Sequence, residues 1–186
     1  IALSKAYKTD GQDRQSEAFV QLAARRKAAI QKYCWIVSEG YFMDYDFIAG
    51  KHTSVISAAG TWALEEGLAT QAQAVKSAKT IKDKLLQPGG IVSTLNDNGQ
   101  QWDYPNGWAP QQWMAIAGLR RYDQNTLAED IKQRWITLNT KVYKNTGKLV
   151  EKYNVVDLSL EAGGGEYPVQ DGFGWTNGVL LKLIKE

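Results

Sequence analysis

The stretch Gln101–Trp113 combines flat aromatic side chains with hydrogen-bonding groups. It holds three Trp residues, the carboxylate of Asp103, an Asn-Gly pair and two Pro residues within thirteen positions. Pro105, Gly107 and Pro110 interrupt both a helix and a central strand, so the stretch is predicted to be a rigid loop. The C–H faces of sugars stack on indole rings, and sugar hydroxyls bond to carboxylates and amides. A lone Trp-Asp pair would indicate a core Trp beside a capping carboxylate, but three Trp residues favour a sugar-binding site.

Carboxylates in the loops supply the second kind of chemistry. Cleavage of a glycosidic bond needs two carboxyl groups, one that protonates the leaving oxygen and one that activates water or attacks carbon. In an inverting enzyme they stand roughly 6.5–9.5 Å apart, which leaves room for the water. Position in the sequence does not rank the acids, and a cap or a surface position is the expected role for most of them. The candidates are Asp44, Asp46, Asp103, Glu151, Asp157, Glu161, Glu166 and Asp171.

Amphipathic helices must position these loops. Apolar residues recur at spacings of three and four in each predicted helix. Capping boxes are predicted at Thr70 with Gln73 and at Thr126 with Glu129. The predicted helices are Ile1–Tyr7, Gln12–Tyr33, His52–Glu66, Thr70–Leu86, Pro110–Tyr122, Thr126–Tyr143 and Phe173–Ile184.

The connections between these helices alternate between short and long. The long ones are Cys34–Lys51, Gln87–Ala109 and Lys144–Gly172, and they hold the Trp, Gly and carboxylate clusters. Antiparallel helix pairs with short turns place every long connection at the same end of the molecule. The pattern therefore predicts an all-α fold, a helical toroid with a site at one mouth.

Composition argues against several classes of function. The net charge of +2 is spread without clusters, so nothing favours binding to nucleic acid or to an anionic membrane. No apolar run approaches the ~18 residues of a membrane helix. Cys34 and His52 are each the single residue of their type, so neither a disulfide, a metal set nor a cofactor is predicted. Because residue 1 is Ile and lies in a helical pattern, we expect the natural N-terminus upstream.

Three motifs resemble those of the trehalases of bacterial type, the inverting glycosidases that split α,α-trehalose into two glucoses. The resemblance implies an α/α toroid of the six-hairpin glycosidase type. It also implies that residues 1–186 are the C-terminal portion, roughly the second half, of a single catalytic domain. The motifs are Gln101–Pro110, Leu149–Tyr153 and Gly163–Gly178, and Asp44–Asp46 and Pro88–Gly90 agree as well.

The resemblance assigns different roles to two glutamates. Glu151 matches the catalytic base, and Glu166 matches a sugar-binding carboxylate. Lys152 and Tyr153 follow Glu151 directly, and either side chain could help to keep its carboxylate charged or aligned. Glu166 follows a glycine run, which suits close backbone approach and hydroxyl binding.

The resemblance also implies an aromatic pocket and a missing acid. Trp102, Asp103 and Trp108 match the wall of the glucose pocket. The family's catalytic acid is an Asp in a Gly-Trp-Asp-Phe motif, and this chain contains no Gly-Trp-Asp. The proton donor, like the substrate-gripping arginines, is therefore expected on an upstream part of the same enzyme.

The expected partners are trehalose and that N-terminal portion, with no nucleic acid and no membrane. Part of a ring leaves apolar stripes in water, so residues 1–186 alone are expected to aggregate and to be inactive. Two alternatives stay open, another inverting α-glucosidase on the same toroid and a non-catalytic sugar-binding fragment. The compartment, periplasmic or cytoplasmic, is not indicated.

Overall fold

The computed structural model describes residues 1–160 and 165–186, and the predicted candidate Glu161 lies outside the described residues. The described part is mainly helical, as predicted, and short strand pairs occur in its connections. The helices are α1 (Ala2–Thr9), α2 (Asp13–Tyr33), α3 (Trp62–Glu65), α4 (Gln71–Thr80), α5 (Ala109–Arg121), α6 (Asn125–Thr146) and α7 (Gly174–Ile184), with a 3₁₀ turn at Ala58–Thr61 and a π-helical turn at Ile81–Leu85. The strands are β1 (Trp35–Ile36), β2 (Tyr41–Phe42), β3 (Tyr45–Asp46), β4 (Lys51–His52), β5 (Leu86–Gln87), β6 (Gly90–Ile91), β7 (Asn106–Trp108) and β8 (Lys152–Asn154).

The strands form two-stranded antiparallel sheets that tie the long connections together. The pairs β1–β2, β3–β4 and β5–β6 are local hairpins, whereas β7 pairs with β8 across helices α5 and α6. Trp108 lies opposite Lys152 in that ladder. The N–H of Gly89 also donates to the carbonyl of Val155 at 2.8 Å. The second and third long connections therefore meet at one end of the helices, as predicted.

Helices α5 and α6 carry the centre of the core. The predicted stripe of α6 is buried at Ile131, Trp135, Leu138 and Val142, because these residues fall on one face of the helix. Gln112 of α5 is also fully buried. Its side-chain amide accepts from the N–H of Ile91 and donates to the carbonyl of Ile91, at 2.8 and 2.7 Å. This pair of bonds fixes β6, and the loop that follows it, against α5.

Helix α2 lies largely on the surface. It packs against α1, and Ser16 is its one buried residue. Ala29 and Tyr33, predicted on its inner stripe, are exposed. None of the helices in residues 1–160 and 165–186 is long and apolar enough to cross a membrane.

The predicted helix His52–Glu66 is wrong over residues 52–57, and the 3₁₀ turn at Ala58–Thr61 leads directly into α3. His52 belongs to strand β4, and α3 begins only at Trp62. Thr53, Val55 and Ile56 are β-branched, which favours extended backbone over a helix. The helix was predicted from the spacing of apolar residues, without regard to the preference of β-branched residues for extended backbone.

One predicted capping box is present and the other is absent. The Thr70 hydroxyl accepts from the N–H of Gln73 at 3.2 Å, and the Gln73 side chain accepts from the N–H of Thr70 at 2.8 Å. Helix α6 instead starts at Asn125, and its N-cap, Gln124, makes no side-chain cap. Thr126 therefore lies inside the first turn, where it does not serve as the cap.

Val75, predicted on the inner face of α4, is half exposed.

We predict that Thr70→Ala lowers the free energy of unfolding by about 1 kcal/mol, because the first turn of α4 loses a side-chain acceptor. The matched control Thr126→Ala should change it by less than about 0.5 kcal/mol, as expected for an exposed residue without a cap. Urea denaturation of both variants measures the difference. Equal losses would contradict the assignment of the cap to Thr70.

Candidate active site

The backbone at Glu151 is held from both sides by extended segments. Strand β8 follows directly and pairs with β7. On the other side the N–H of Glu151 donates to the carbonyl of Gln170 at 2.8 Å, and Val150 forms a bridge with Asp171. The Thr176 hydroxyl of α7 donates to the carbonyl of Val150 at 2.9 Å. These bonds fix the position from which the Glu151 side chain projects.

The Glu151 carboxylate is buried and has a polar partner on each oxygen. The residue is 4% exposed. Its Oε1 accepts from the Tyr167 hydroxyl at 2.9 Å, and its Oε2 lies 3.3 Å from Nζ of Lys152. The hydrogen bond to Glu151 raises the pKa of Tyr167, so this phenol remains a donor. An ionised carboxylate accepts about four hydrogen bonds, so Glu151 retains capacity for a water molecule.

Tyr153 does not contact this carboxylate. Its hydroxyl accepts from the N–H of Val150 at 3.1 Å, and its ring packs edge-on against Trp135 at 5.1 Å. Burial raises the pKa of Tyr153 to about 12, so the phenol stays neutral. Of the two sequence neighbours considered for Glu151, Lys152 makes the contact and Tyr153 anchors the strand to α6.

Most of the other candidate acids stabilise turns or lie at the surface. Asp46 accepts two backbone N–H bonds at 2.9 Å in the β3–β4 turn. Hydrogen bonds within its own turn lower the pKa of Asp157. Asp171 pairs with Lys148 at 2.7 Å, and that hydrogen bond lowers its pKa. Asp44 is exposed.

Asp103 and Glu166 lie on either side of the predicted sugar loop. Asp103 is 8% exposed, and its Oδ2 accepts from the N–H groups of Asn98 and Gln100 at 2.9 and 3.3 Å. This carboxylate therefore closes its own loop. Glu166 is exposed, and its Oε2 accepts from the N–H of Gln101 at 3.3 Å. That bond joins the third long connection to the start of the Trp-rich stretch.

Three Trp residues form a stack beside these acids. The rings of Trp102 and Trp108 are nearly parallel, with centroids 3.9 Å apart, and Trp175 meets both edge-on. Trp108 is only 1% exposed, because Trp102 covers it, whereas Trp102 is 46% exposed. The assignment of Trp108 to the wall of the glucose pocket stays a prediction, but within residues 1–160 and 165–186 its ring has no open face. Within this chain Trp102 presents the open face, and Trp108 supports it.

A glycine lets the strand that carries Trp108 pack closely beside the strand that follows Glu151. A Cβ on Gly107 would lie 2.4 Å from Cγ1 of Val155 and 2.9 Å from the carbonyl oxygen of Ile91. Only glycine lets β7 approach this closely, so Trp108 can lie beside Lys152 in the ladder. The Asn-Gly pair, which was predicted to lie in a rigid loop, thus belongs to a tightly packed strand.

Sequence reasoning left out two residues that the structure places at the site. Tyr167, which binds Glu151, directly follows Glu166, and Trp175 lies in the same glycine-rich motif. Their position within that motif was the signal in the sequence that could have identified both residues. Among residues 1–160 and 165–186, no group of three or more His, Cys, Asp or Glu side chains could hold a metal ion.

A family model and the curated relatives of the chain all indicate the same family. A family model described as trehalase matches residues 1–186. The chain is 44% identical over 182 residues to a periplasmic trehalase of Escherichia coli, and 46% identical over 163 residues to one of Pseudomonas aeruginosa. These matches cover 98% and 88% of the chain but 32% and 30% of the relatives. The chain thus spans about a third of the length of the curated relatives it matches.

Solved structures agree with this result. The neutral trehalase of Saccharomyces cerevisiae superposes with a TM-score of 0.77 at 35% identity, over 91% of this chain and 30% of that chain. A GH63 mannosylglycerate hydrolase of Thermus thermophilus superposes with a TM-score of 0.60 at 20% identity, over 96% of this chain and 40% of that chain. The second likeness bears on the fold alone.

Proposed function

The chain belongs to the trehalase family and has the α/α-toroid fold of those glycosidases. From that premise we propose that the full-length protein hydrolyses α,α-trehalose to two glucose molecules with inversion. Residues 1–186 would be a C-terminal portion of its single catalytic domain. They would supply the general base and part of the sugar pocket. The general acid, an Asp, would lie upstream in the same polypeptide.

The observation that carries this proposal is the environment of Glu151. A general base must be ionised, fixed and able to reach water. Glu151 is buried, its backbone is bonded on both sides, and a cation lies 3.3 Å from one oxygen. Asp46, Asp103 and Asp157 have their carboxylates engaged by N–H groups of their own loops. Glu151 is thus the loop carboxylate best suited to the role.

The proposed reaction is a direct displacement by water. The oxygen of the water forms a bond to the anomeric carbon while Glu151 accepts a proton from that water. The bond from this carbon to the bridging oxygen breaks, and the upstream acid gives its proton to the departing glucose. Attack from the opposite face converts one α-linked unit into β-glucose, and the other glucose leaves as the α anomer. Glu151 then returns its proton to solvent.

The remaining site residues would bind the ground state. The open face of Trp102 would stack on the C–H face of a glucose ring, with Trp108 and Trp175 supporting it. The exposed carboxylate of Glu166 would accept hydrogen bonds from sugar hydroxyls. Asp103 would contribute to the wall chiefly by fixing the shape of the loop that carries Trp102.

We predict that the full-length protein releases α- and β-glucose in equal initial amounts from trehalose, whereas residues 1–186 alone release neither. Proton NMR within the first minutes of reaction resolves the anomers before mutarotation equalises them. Maltose, assayed in parallel, tests the alternative α-glucosidase.

Release of α-glucose alone would exclude the inverting reaction. Faster cleavage of maltose would favour the other α-glucosidase. Sugar binding by the full-length protein without any hydrolysis would favour the non-catalytic alternative. Hydrolysis by the 186-residue segment would show that no upstream acid is needed.

A further inference from the structure

Lys152 is a fully buried cation at the first residue of β8, opposite Trp108 in the β7–β8 ladder. Its side chain is 0% exposed, although lysine is almost never buried completely unless it is paired. Burying an ammonium group is costly, and an attractive partner must offset that cost. The neighbours of Lys152 therefore indicate why a cation is kept at this position.

The neighbours of this cation comprise one carboxylate and two aromatic rings. Its Nζ lies 3.3 Å from Oε2 of Glu151, 4.9 Å from the ring centroid of Tyr167 and 5.7 Å from that of Trp108. Ring faces attract a cation but accept no proton. Among residues 1–160 and 165–186, Glu151 is the one anion ion-paired with Lys152.

Glu151 in turn is held from two directions. Lys152 lies at Oε2, and the Tyr167 hydroxyl donates to Oε1 at 2.9 Å. Among the described residues, the charged or titratable groups in contact with this carboxylate are Lys152 and Tyr167, with Glu166 next to Tyr167 in the chain. Lys152 is the nearest positive charge, and burial leaves its attraction weakly screened by solvent.

We propose that Lys152 is a positioning residue whose buried positive charge keeps Glu151 ionised and aimed as the general base. This inference rests on the proposed function and adds a residue that acts through the base. A protonated carboxyl cannot take the proton of the attacking water, so the rate depends on the ionised form. Lys152 acts through Glu151 and exchanges no proton with the substrate.

A purely structural role makes a different prediction. The Lys152 side chain is fully buried, so on a purely structural role its loss loosens the packing without any electrostatic effect on the base. Such a change would lower the melting temperature and the rate at every pH alike. An effect on ionisation would instead move the acid limb of the pH–rate profile.

The test uses the full-length enzyme and four variants. Lys152→Met removes the charge and keeps the length, whereas Lys152→Arg keeps the charge. Lys132→Met is the matched control, because Lys132 is also buried and lies 3.9 Å from Glu129 on α6, away from the site. Tyr167→Phe removes the other contact of Glu151 at a side chain that is 43% exposed. For each variant kcat and KM for trehalose are measured against pH, together with the melting temperature.

The expected result is a selective change in the pH profile. In Lys152→Met the acid limb of kcat moves upward by about one pH unit or more, so kcat falls over tenfold on the acid side and recovers toward alkaline pH. KM changes by less than about threefold, because the substrate contacts remain. Lys152→Arg and Lys132→Met keep the limb at its wild-type position.

Two results would overturn the proposal. One is a Lys152→Met enzyme with an unmoved acid limb, which would leave Lys152 a packing role. The other is a Lys152→Arg enzyme whose limb shifts by one unit despite the retained charge, whereas a shift in Tyr167→Phe would report the loss of its own hydrogen bond to Glu151. The second result does not depend on Lys152→Met folding. If the wild-type enzyme does not hydrolyse trehalose, the proposed function is refuted. That failure is distinguishable from failure of the Lys152 proposal, which requires an active wild-type enzyme.

Discussion

Glu151→Gln in the full-length enzyme is expected to lower kcat for trehalose by about 10²–10⁴-fold, the usual contribution of a general base. The amide keeps the shape of the carboxylate and can still accept from Tyr167. It cannot accept a proton from water. Affinity for a non-hydrolysable trehalose analogue should therefore stay within about threefold of the wild type.

Glu166→Gln should behave differently, because its exposed carboxylate is proposed to contact sugar before the transition state. We expect weaker binding of the analogue together with a lower rate. Asp171→Asn is the control, since Asp171 pairs with Lys148 at the surface, and its kinetics should be close to those of the wild type. Calorimetric affinity and steady-state kinetics on the three variants give the comparison.

A reversed pattern would reverse the assignment. Glu151→Gln with most of its turnover, beside a Glu166→Gln enzyme that binds but does not turn over, would make Glu166 the base. Melting temperatures must accompany the kinetics, because Glu151→Gln also removes the counter-charge of buried Lys152. A fall in kcat that tracks unfolding would not count as loss of the base.

Trp108→Ala should lower the free energy of unfolding by about 3–5 kcal/mol, as expected when a buried Trp is truncated. Its ring is 1% exposed, stacks on Trp102 and donates from Nε1 to the carbonyl of Gln101 at 3.2 Å. Its loss would leave a cavity beside the β7–β8 ladder. This expectation reverses the sequence-based one, in which Trp108 binds sugar.

Trp102→Ala is the matched comparison. Its ring is 46% exposed, so stability should fall much less, whereas the analogue should bind more weakly by ~1–3 kcal/mol, by analogy with other stacking on aromatic side chains. Thermal melting and calorimetry on both variants separate the two effects. A Trp108→Ala protein of wild-type stability with weakened binding would restore the original role of Trp108.

Local patterns in the sequence correctly predicted the helices of the core and singled out the motifs that carry the proposed site. The buried stripe of α6 follows from apolar spacing within one helix, and the Thr70 cap follows from two side chains in one turn. The Trp-rich, Glu151 and Glu166 motifs were found because their composition is unusual and resembles a known family. All of these signals lie within a few neighbouring residues, so no knowledge of the fold is needed to detect them.

The roles within the motifs depend on residues far apart in the chain. Trp108 is buried because Trp102 and Trp175 close over it, and Gly107 admits Val155 from the segment that follows β8. Glu151 obtains one partner from the adjacent Lys152 and the other from Tyr167, across a bend that no local pattern predicts. The burial of a residue and the partners of a charge depend on which segments pack together. Polar contacts become strong when water is excluded, and water is excluded only in the folded chain. For that reason the sequence located the motifs, but the tertiary structure was needed to separate the open Trp from the buried one and to reveal the cation beside Glu151.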